Sequence, residues 1–292
     1  MKRKLVEQGK TTLMVSLPID WIRKFGLQKG DEIEVDEQGG NLVIKTEKSF
    51  KQNNKIIDLA EYGFMKNRAV LSAYLQGVDE LELRFTDIKQ IKEIEERVLN
   101  ELIGFEIIKQ TPNSLILKDI SGSSEQNFDM IMRRTFLVIE SMAEELEKSL
   151  ENSQKNLEHV VMIDKEVNRL SYYSIRILNK RGYKDFKKIP MIYAIILALE
   201  FIGDYYKYIA QDIMKKQITV TASDIQNLKL VNKSFNIFSE AFFSQKKERI
   251  TALRENYEKL KEKLKGNRKM DMYSYQIIMN IMMMTNNLML IL

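Results

Sequence analysis

The sequence predicts a multidomain, mainly α protein with a small β head, a small α+β middle segment and a long C-terminal helical bundle. Three observations carry this. Polar/apolar alternation is confined to the first 46 residues and to a few runs before residue 120. From about residue 121 onward, apolar residues recur at helical spacing. The chain of 292 residues holds only 3 Pro and 12 Gly, few enough to favour long helices. A length of this order accommodates two or three domains.

The head reads as a set of short strands. Arg3 to Glu7 is a basic strand, Gln8-Gly9-Lys10 a turn, and Thr11 to Leu17 a second strand. After Pro18 comes a helical turn, Asp20 to Phe25, stopped by Gly26, and Lys29-Gly30-Asp31 turns the chain again. Strict alternation in Glu32-Ile33-Glu34-Val35-Asp36 is that of a half-buried strand. Gly39-Gly40 offers the positive φ of a tight hairpin before the last strand, Asn41 to Thr46. Four short strands over roughly 45 residues bury too little surface to stand alone. A second copy would close the open edges and complete the core, so the sequence predicts an obligate homodimer.

This order of elements resembles the AbrB/MazE/SpoVT family of swapped-hairpin DNA-binding domains. The resemblance implies a dimeric transcription-factor head over residues 1–47, with double-stranded DNA as its partner. It implies that Lys2, Arg3, Lys4, Lys10, Arg23 and Lys24 supply the charges that neutralise phosphates. Acidic Glu32, Glu34, Asp36 and Glu37 nearly cancel that charge. A head that only dimerises is the alternative.

The middle segment spans about residues 50–120. Ile57 to Leu75 has helical spacing and stops at Gly77, and Glu80 to Phe85 alternates as a strand. Thr86 or Asp87 is a cap for a helix reaching about Leu102. Phe105 to Lys109 and Leu115 to Ile120 are strands joined by the turn Thr111-Pro112-Asn113-Ser114. The result is a small α+β domain without a catalytic constellation. Ser121-Gly122-Ser123-Ser124 reads as a linker. Six helices follow over 121–292, at about 125–152, 155–181, 188–216, 222–243, 245–265 and 269–291. Pro190 suits the first turn of the third, and Gly182 and Gly266 break the chain between helices. Short connections imply an up-and-down bundle of two three-helix units.

Inside the bundle, Leu199-Glu200-Phe201-Ile202-Gly203-Asp204-Tyr205 resembles the Leu-Glu-Arg-Ile-Gly-Asp signature of PhoU proteins, the phosphate-uptake regulators. One helix earlier, Asp164-Lys165-Glu166-Val167-Asn168-Arg169-Leu170 resembles that family's Asp-x-x-Val/Ile-Asn-x-Leu segment. The family folds as two three-helix bundles, in agreement with the helix count. Regulators that join an AbrB-like head to a PhoU-like bundle are known in archaea, and this chain resembles them. Glu200 and Asp204 stand at i and i+4, on one helix face, and Asp164 and Asn168 share that spacing. The resemblance implies a metal ion on these four residues. Hard oxygen donors suit iron, manganese, magnesium or calcium. The competing expectation is that the carboxylates pair with Arg or Lys across the bundle. Phe201 replaces the family's Arg. The second unit has Met283, Thr285 and Asn287 where acids belong, and Lys259 four residues after Glu255, so no second metal site is expected.

Several classes are excluded or weakened by composition. There is no Cys, hence no disulfide, thiolate metal site or cysteine catalysis. A net charge of +5 is too mild to argue for nucleic acid by itself. Gly9-Lys10-Thr11-Thr12 mimics the end of a phosphate loop, but Lys4 stands at the required earlier Gly and a strand follows. His159 is the only histidine and cannot form a cluster. Lys246 to Lys269 is a charge-rich stretch of the kind that forms solvated helices. The N-terminus is no signal peptide, which predicts a cytoplasmic protein. The Met-rich run Tyr275 to Leu292 approaches the length of a membrane span but carries Asn280, Thr285, Asn286 and Asn287. It reads as a buried bundle helix, with a partner groove as the other use of its methionines. No nucleophile–base pair is visible, so no enzyme is expected. The functional expectation is a DNA-binding regulator of phosphate uptake with the bundle as sensor or docking module. The alternative is a non-DNA signalling adaptor that contacts a phosphate transporter or a sensor kinase.

Overall fold

A computed structural model describes residues 1–38, 40–46, 53–97, 99–121, 128–152, 155–246, 248–264 and 268–292. The expected turn glycines Gly39 and Gly266, the head boundary at Glu47 and most of the Ser121–Ser124 linker lie outside the described residues. Two compact units result, 1–54 and 55–292.

The first unit consists of two separate hairpins and a short helix. Strand β1 (Val6–Gln8) pairs antiparallel with β2 (Thr12–Met14). Helix α1 is Ile19–Lys24. Strand β3 (Glu34–Gln38) pairs antiparallel with β4 (Asn41–Lys45), with Val35 opposite Ile44. The first strand begins at Val6 rather than Arg3, so Lys2, Arg3 and Lys4 precede the ladder. Gly9 at φ +75° makes the first turn and Gly26 at φ +61° ends the helix, conformations that Cβ-bearing residues rarely adopt.

The second unit opens with a four-stranded sheet in the order β5-β6-β8-β7. Its strands are β5 (Asn54–Asp58), β6 (Glu80–Arg84), β7 (Phe105–Gln110) and β8 (Ser114–Asp119). The expected helix from Ile57 is corrected here. Its first residues form β5, and the helix α2 covers only Lys66–Leu75. Helix α3 is Ile88–Arg97, and Asp87 caps it by accepting from the Lys89 amide at 2.9 Å. The alternating inward residues Leu81, Leu83, Leu115 and Leu117 pack with Val70 and Tyr74 of α2 and Ile91 and Ile94 of α3.

Six helices follow among the described residues: α4 (Phe128–Glu151), α5 (Leu157–Arg181), α6 (Ile189–Met214), α7 (Ala222–Ser244), α8 (Glu248–Lys263) and α9 (Lys269–Ile291). Helices α4, α5 and α6 pack on one another, as do α7, α8 and α9, while α6 also lies on α9 and α4 on α7. One apolar core runs through both trios, and Tyr206 donates to Asn232 at 2.8 Å to join α6 to α7 inside it. Thr221 and Asp224 form a capping box at the start of α7. Gly203 lets α6 approach α5, since a Cβ there would stand 3.0 Å from Val167 Cγ1.

The sheet and the bundle share one core: Ile131 of α4 and Leu170 and Tyr173 of α5 belong to the cluster built on the sheet. Residues 55–120 and the bundle are thus one compact unit, joined by more than a linker. The fastening is Arg176, 1% exposed. Its guanidinium donates to Tyr74 O at 2.6 Å, Val78 O at 2.7 Å and Asp119 Oδ2 at 2.7 Å, and lies over the Tyr74 and Phe105 rings. Lys180 adds bonds to Asp79 at 2.5 Å and Asp119 at 3.1 Å. Burial pushes the Asp119 carboxyl up, but hydrogen bonds from Arg176, Ser121 and Lys180 outweigh it and hold the group down at about 2. A depressed carboxyl contributes stability that is complete above its unfolded value and lost as pH falls toward the folded one. The stability gap between wild type and Asp119→Asn therefore narrows between about pH 4 and pH 2, measured by urea denaturation. A gap that stays constant over that window contradicts the ion pair.

Candidate functional site

Two sets of residues were expected to act, and they lie in different units. In the head, Lys2, Arg3, Lys4, Lys10, Arg23 and Lys24 are all exposed. Lys2, Arg3 and Lys4 run into β1, Lys10 sits in the turn between β1 and β2, and Arg23 and Lys24 end α1. Basic residues on the last helical turn are also where the helix dipole favours them.

The same unit exposes much apolar surface. Leu5, Val6, Leu13, Met14, Val15, Ile19, Val35 and Leu42 are each at least 43% exposed, and α1 has no buried residue. Both faces of β1 and β2 are open. Two short hairpins with uncovered apolar residues are incomplete as a fold, because isolated hairpins are marginal in water.

In the bundle, the structure brings Asp164 of α5 and Asp204 of α6 onto one cation. Lys207 of α6 donates to Asp164 Oδ2 at 2.8 Å and also to Asp204 Oδ1. Burial lowers the proton affinity of this ammonium, but the two carboxylates outweigh that and raise it above the usual lysine range. Glu200 belongs to the same electrostatic cluster: burial first, then Asp204 and Asp164, push its carboxyl up to about 7. Burial likewise raises Asp164, against the pull of Lys207.

Two residues of this cluster were not legible in the sequence. Lys207 stands three residues after Asp204, a spacing any surface helix shows, so nothing marked it. Glu101 comes from the single helical turn Leu99–Glu101 of the middle segment. Burial and Asp164 push its carboxyl up to about 7, while Asn168 hydrogen-bonds to it and opposes the rise. No sequence pattern links residue 101 to residue 168, since only the packing of the sheet layer on α5 brings them together.

The donor set Asp164, Asn168, Glu200 and Asp204 has the hard-oxygen chemistry a divalent cation needs. Asp164 Oδ1 and Asn168 Oδ1 are buried without a hydrogen-bond partner, which leaves two oxygens for a further cation. Yet among the described residues no group of three or more His, Cys, Asp or Glu is gathered closely enough to hold a metal. In the arrangement present, Lys207 bridges Asp164 of the neighbouring helix and Asp204 of its own. The second trio shows the expected absence of acids on α9 beyond Asp271. That residue and Asp224 are both bound by Arg268, at 2.9 and 2.5 Å. His159 lies on the surface, 3.7 Å from Glu145. Among the described residues no helix is long and apolar enough to cross a membrane.

Comparison with known proteins bears on the head. The sequence model of the MazE family, described as antidote-toxin recognition MazE, bacterial antitoxin, matches residues 8–52. No curated protein and no solved structure matches the chain. The N-terminal segment is thus MazE-like, in agreement with the hairpin–helix–hairpin order of its strands.

Proposed function

We propose that the chain is a dimeric DNA-binding regulator of phosphate uptake, with a MazE/AbrB-like head and a PhoU-like bundle as sensor or partner-docking module. The observation that carries the head reading is the pair of hairpins with uncovered apolar faces in a segment that matches the MazE family model. Intertwining with a second copy covers those faces and doubles the basic residues that meet the duplex. The phosphate-homeostasis part rests on the Leu199–Tyr205 and Asp164–Leu170 segments. The two-trio packing of α4–α9 supports it.

The bundle reading carries a cation with it. Asp164, Asn168, Glu200 and Asp204 would hold a hard divalent ion, iron, manganese, magnesium or calcium, once Lys207 swings away and the carboxylates draw together from their present separation. The ion would supply the charge neutralisation that one ammonium now gives to a cluster of carboxylates. Exchange between ammonium and metal gives the bundle two states, as a sensor needs.

The second reading is the adaptor, in which the head only dimerises and the bundle docks on a transporter or sensor kinase. The near-balance of head charges favours it. A fluorescence-anisotropy titration of duplex DNA with the full chain separates the two. The regulator reading expects Arg3→Ala with Lys10→Ala to weaken binding about ten-fold or more at every sequence tried. Each dimer loses four charges, so the slope of log K against log salt should flatten by about 3–4. Equal binding by wild type and variant removes these residues from the interface. Capture of a toxin partner by the head, abolished by substitutions in 8–52, would favour the antitoxin activity named for the matched family.

A further inference from the structure

Helix α9 carries no charged residue from Met272 to Leu292. Its inward face, Ile277, Ile278, Ile281, Met284 and Leu288, fills the bundle core. Its outward face is also apolar. Met272 is 48% exposed, Met279 37%, Met283 39% and Leu290 71%. The helices of a soluble bundle keep charge on the side that meets water, so a charge-free outward stripe calls for a cover.

The stripe has a regular pattern. Met272, Gln276, Met279, Met283, Asn286 and Leu290 are spaced four, three, four, three and four apart, the seam of a heptad repeat. It reads the same in both directions: Met272 answers Leu290, Gln276 answers Asn286, and Met279 answers Met283. Laid antiparallel on itself about a two-fold axis near the level of residue 281, the stripe sets thioether against thioether and amide against amide. The other asparagines of this face are already used, since Asn280 donates to Gln276 O and Asn287 to Met283 O, each at 2.9 Å. An isologous contact demands this kind of self-complementarity, whereas a docking site for a foreign helix does not.

We propose that the outward face of α9 binds α9 of a second copy of this chain, antiparallel, over about 27 Å of helix from Met272 to Leu290. This contact is independent of the head and would form between bundles whether or not the head engages DNA.

The absence of Cys makes the test direct, because each introduced thiol is the only one in its chain. Full-length Met272→Cys and Leu290→Cys chains are co-expressed, so that dimers holding one of each form, and the mixture is treated with a short bismaleimide. The expected result is a cross-linked dimer in the mixture and little in either protein alone, since like positions lie about 27 Å apart in an antiparallel pair. Adding Met279→Glu and Met283→Glu to both chains should abolish the cross-link with helical content unchanged. Cross-linking of each protein alone as readily as the mixture, or none in any of them, overturns the proposal. Flotation of the full chain with anionic phospholipid vesicles, lost in Met283→Glu, would assign the face to lipid and overturn it as well.

Discussion

Arg176→Ala should cost the 55–292 unit about 3–5 kcal/mol, the range for breaking a buried pair by removing one partner. The substitution takes the side-chain donor from Val78 O and from Tyr74 O, which keeps only the Gly77 amide, and leaves Asp119 with Lys180 as its remaining cation beside the Ser121 hydrogen bonds. It also removes the guanidinium that lies 4.6 Å from the Tyr74 ring centre and 4.9 Å from that of Phe105. Arg176→Lys keeps the charge but not the fork that serves three acceptors at once, so it should recover only part of the loss. Urea denaturation gives the size of the effect, and amide hydrogen exchange gives its place. The amides of β6 and β8 should lose protection before those of α7 and α9. Uniform loss of protection, or a cost below about 1 kcal/mol, would mean that the shared apolar core alone fastens the sheet layer to the bundle.

Lys207→Ala should be nearly as severe, for a related reason. It strands the buried carboxylate of Asp164 and the half-buried one of Asp204, whose only ammonium among the described contacts it removes. In the presence of a chelator the loss should be about 3 kcal/mol, moderated by protonation of the cluster at low pH. The cation reading adds a second expectation. Without the lysine, manganese or magnesium at micromolar to millimolar concentration should restore the Tm of the variant, and Asp204→Asn in the same chain should cancel the rescue. If none of iron, manganese, magnesium or calcium raises the Tm of Lys207→Ala, the cluster is a closed ion-pair network and the metal reading falls. The bundle itself survives either way, because its core is apolar and continuous.

Much of the fold was legible because it rests on local periodicity. The six bundle helices fall within a few residues of their expected bounds. They show a 3.6-residue apolar period, with a visible stop at Gly182 after α5 and a visible start at Pro190 in the first turn of α6. The misreading at Ile57 has a physical cause. Ile57 and Leu59 do belong to a buried stripe, but Ile57 is held extended in an edge strand of the sheet while Leu59 opens a tight helical turn, and pairing with β6 is not encoded within the segment. Arg3 was read as the start of a basic strand, although the ladder begins only at Val6. The polar cluster was half legible. Asp164, Asn168, Glu200 and Asp204 were singled out by the resemblance of their two segments to the PhoU signature, whereas Lys207 and Glu101 enter through tertiary packing. Those two residues set the electrostatics, one as the cation and one as a further carboxyl. The heptad stripe of α9 was hidden because Met occupies both faces of that helix, and only the burial of Ile277, Ile281 and Met284 separates the seam from the core.

The central claim is that the head of this chain, paired with a second copy, grips duplex DNA through its basic residues. The most direct measurement is the affinity of the full chain for a duplex between about 50 and 200 mM salt. The account predicts binding whose logarithm falls linearly with log salt, with a slope of at least about −4, as expected when several phosphates are neutralised by a symmetric head. Absence of duplex binding at 50 mM salt by a chain that is dimeric in light scattering would contradict it and leave the adaptor reading in its place.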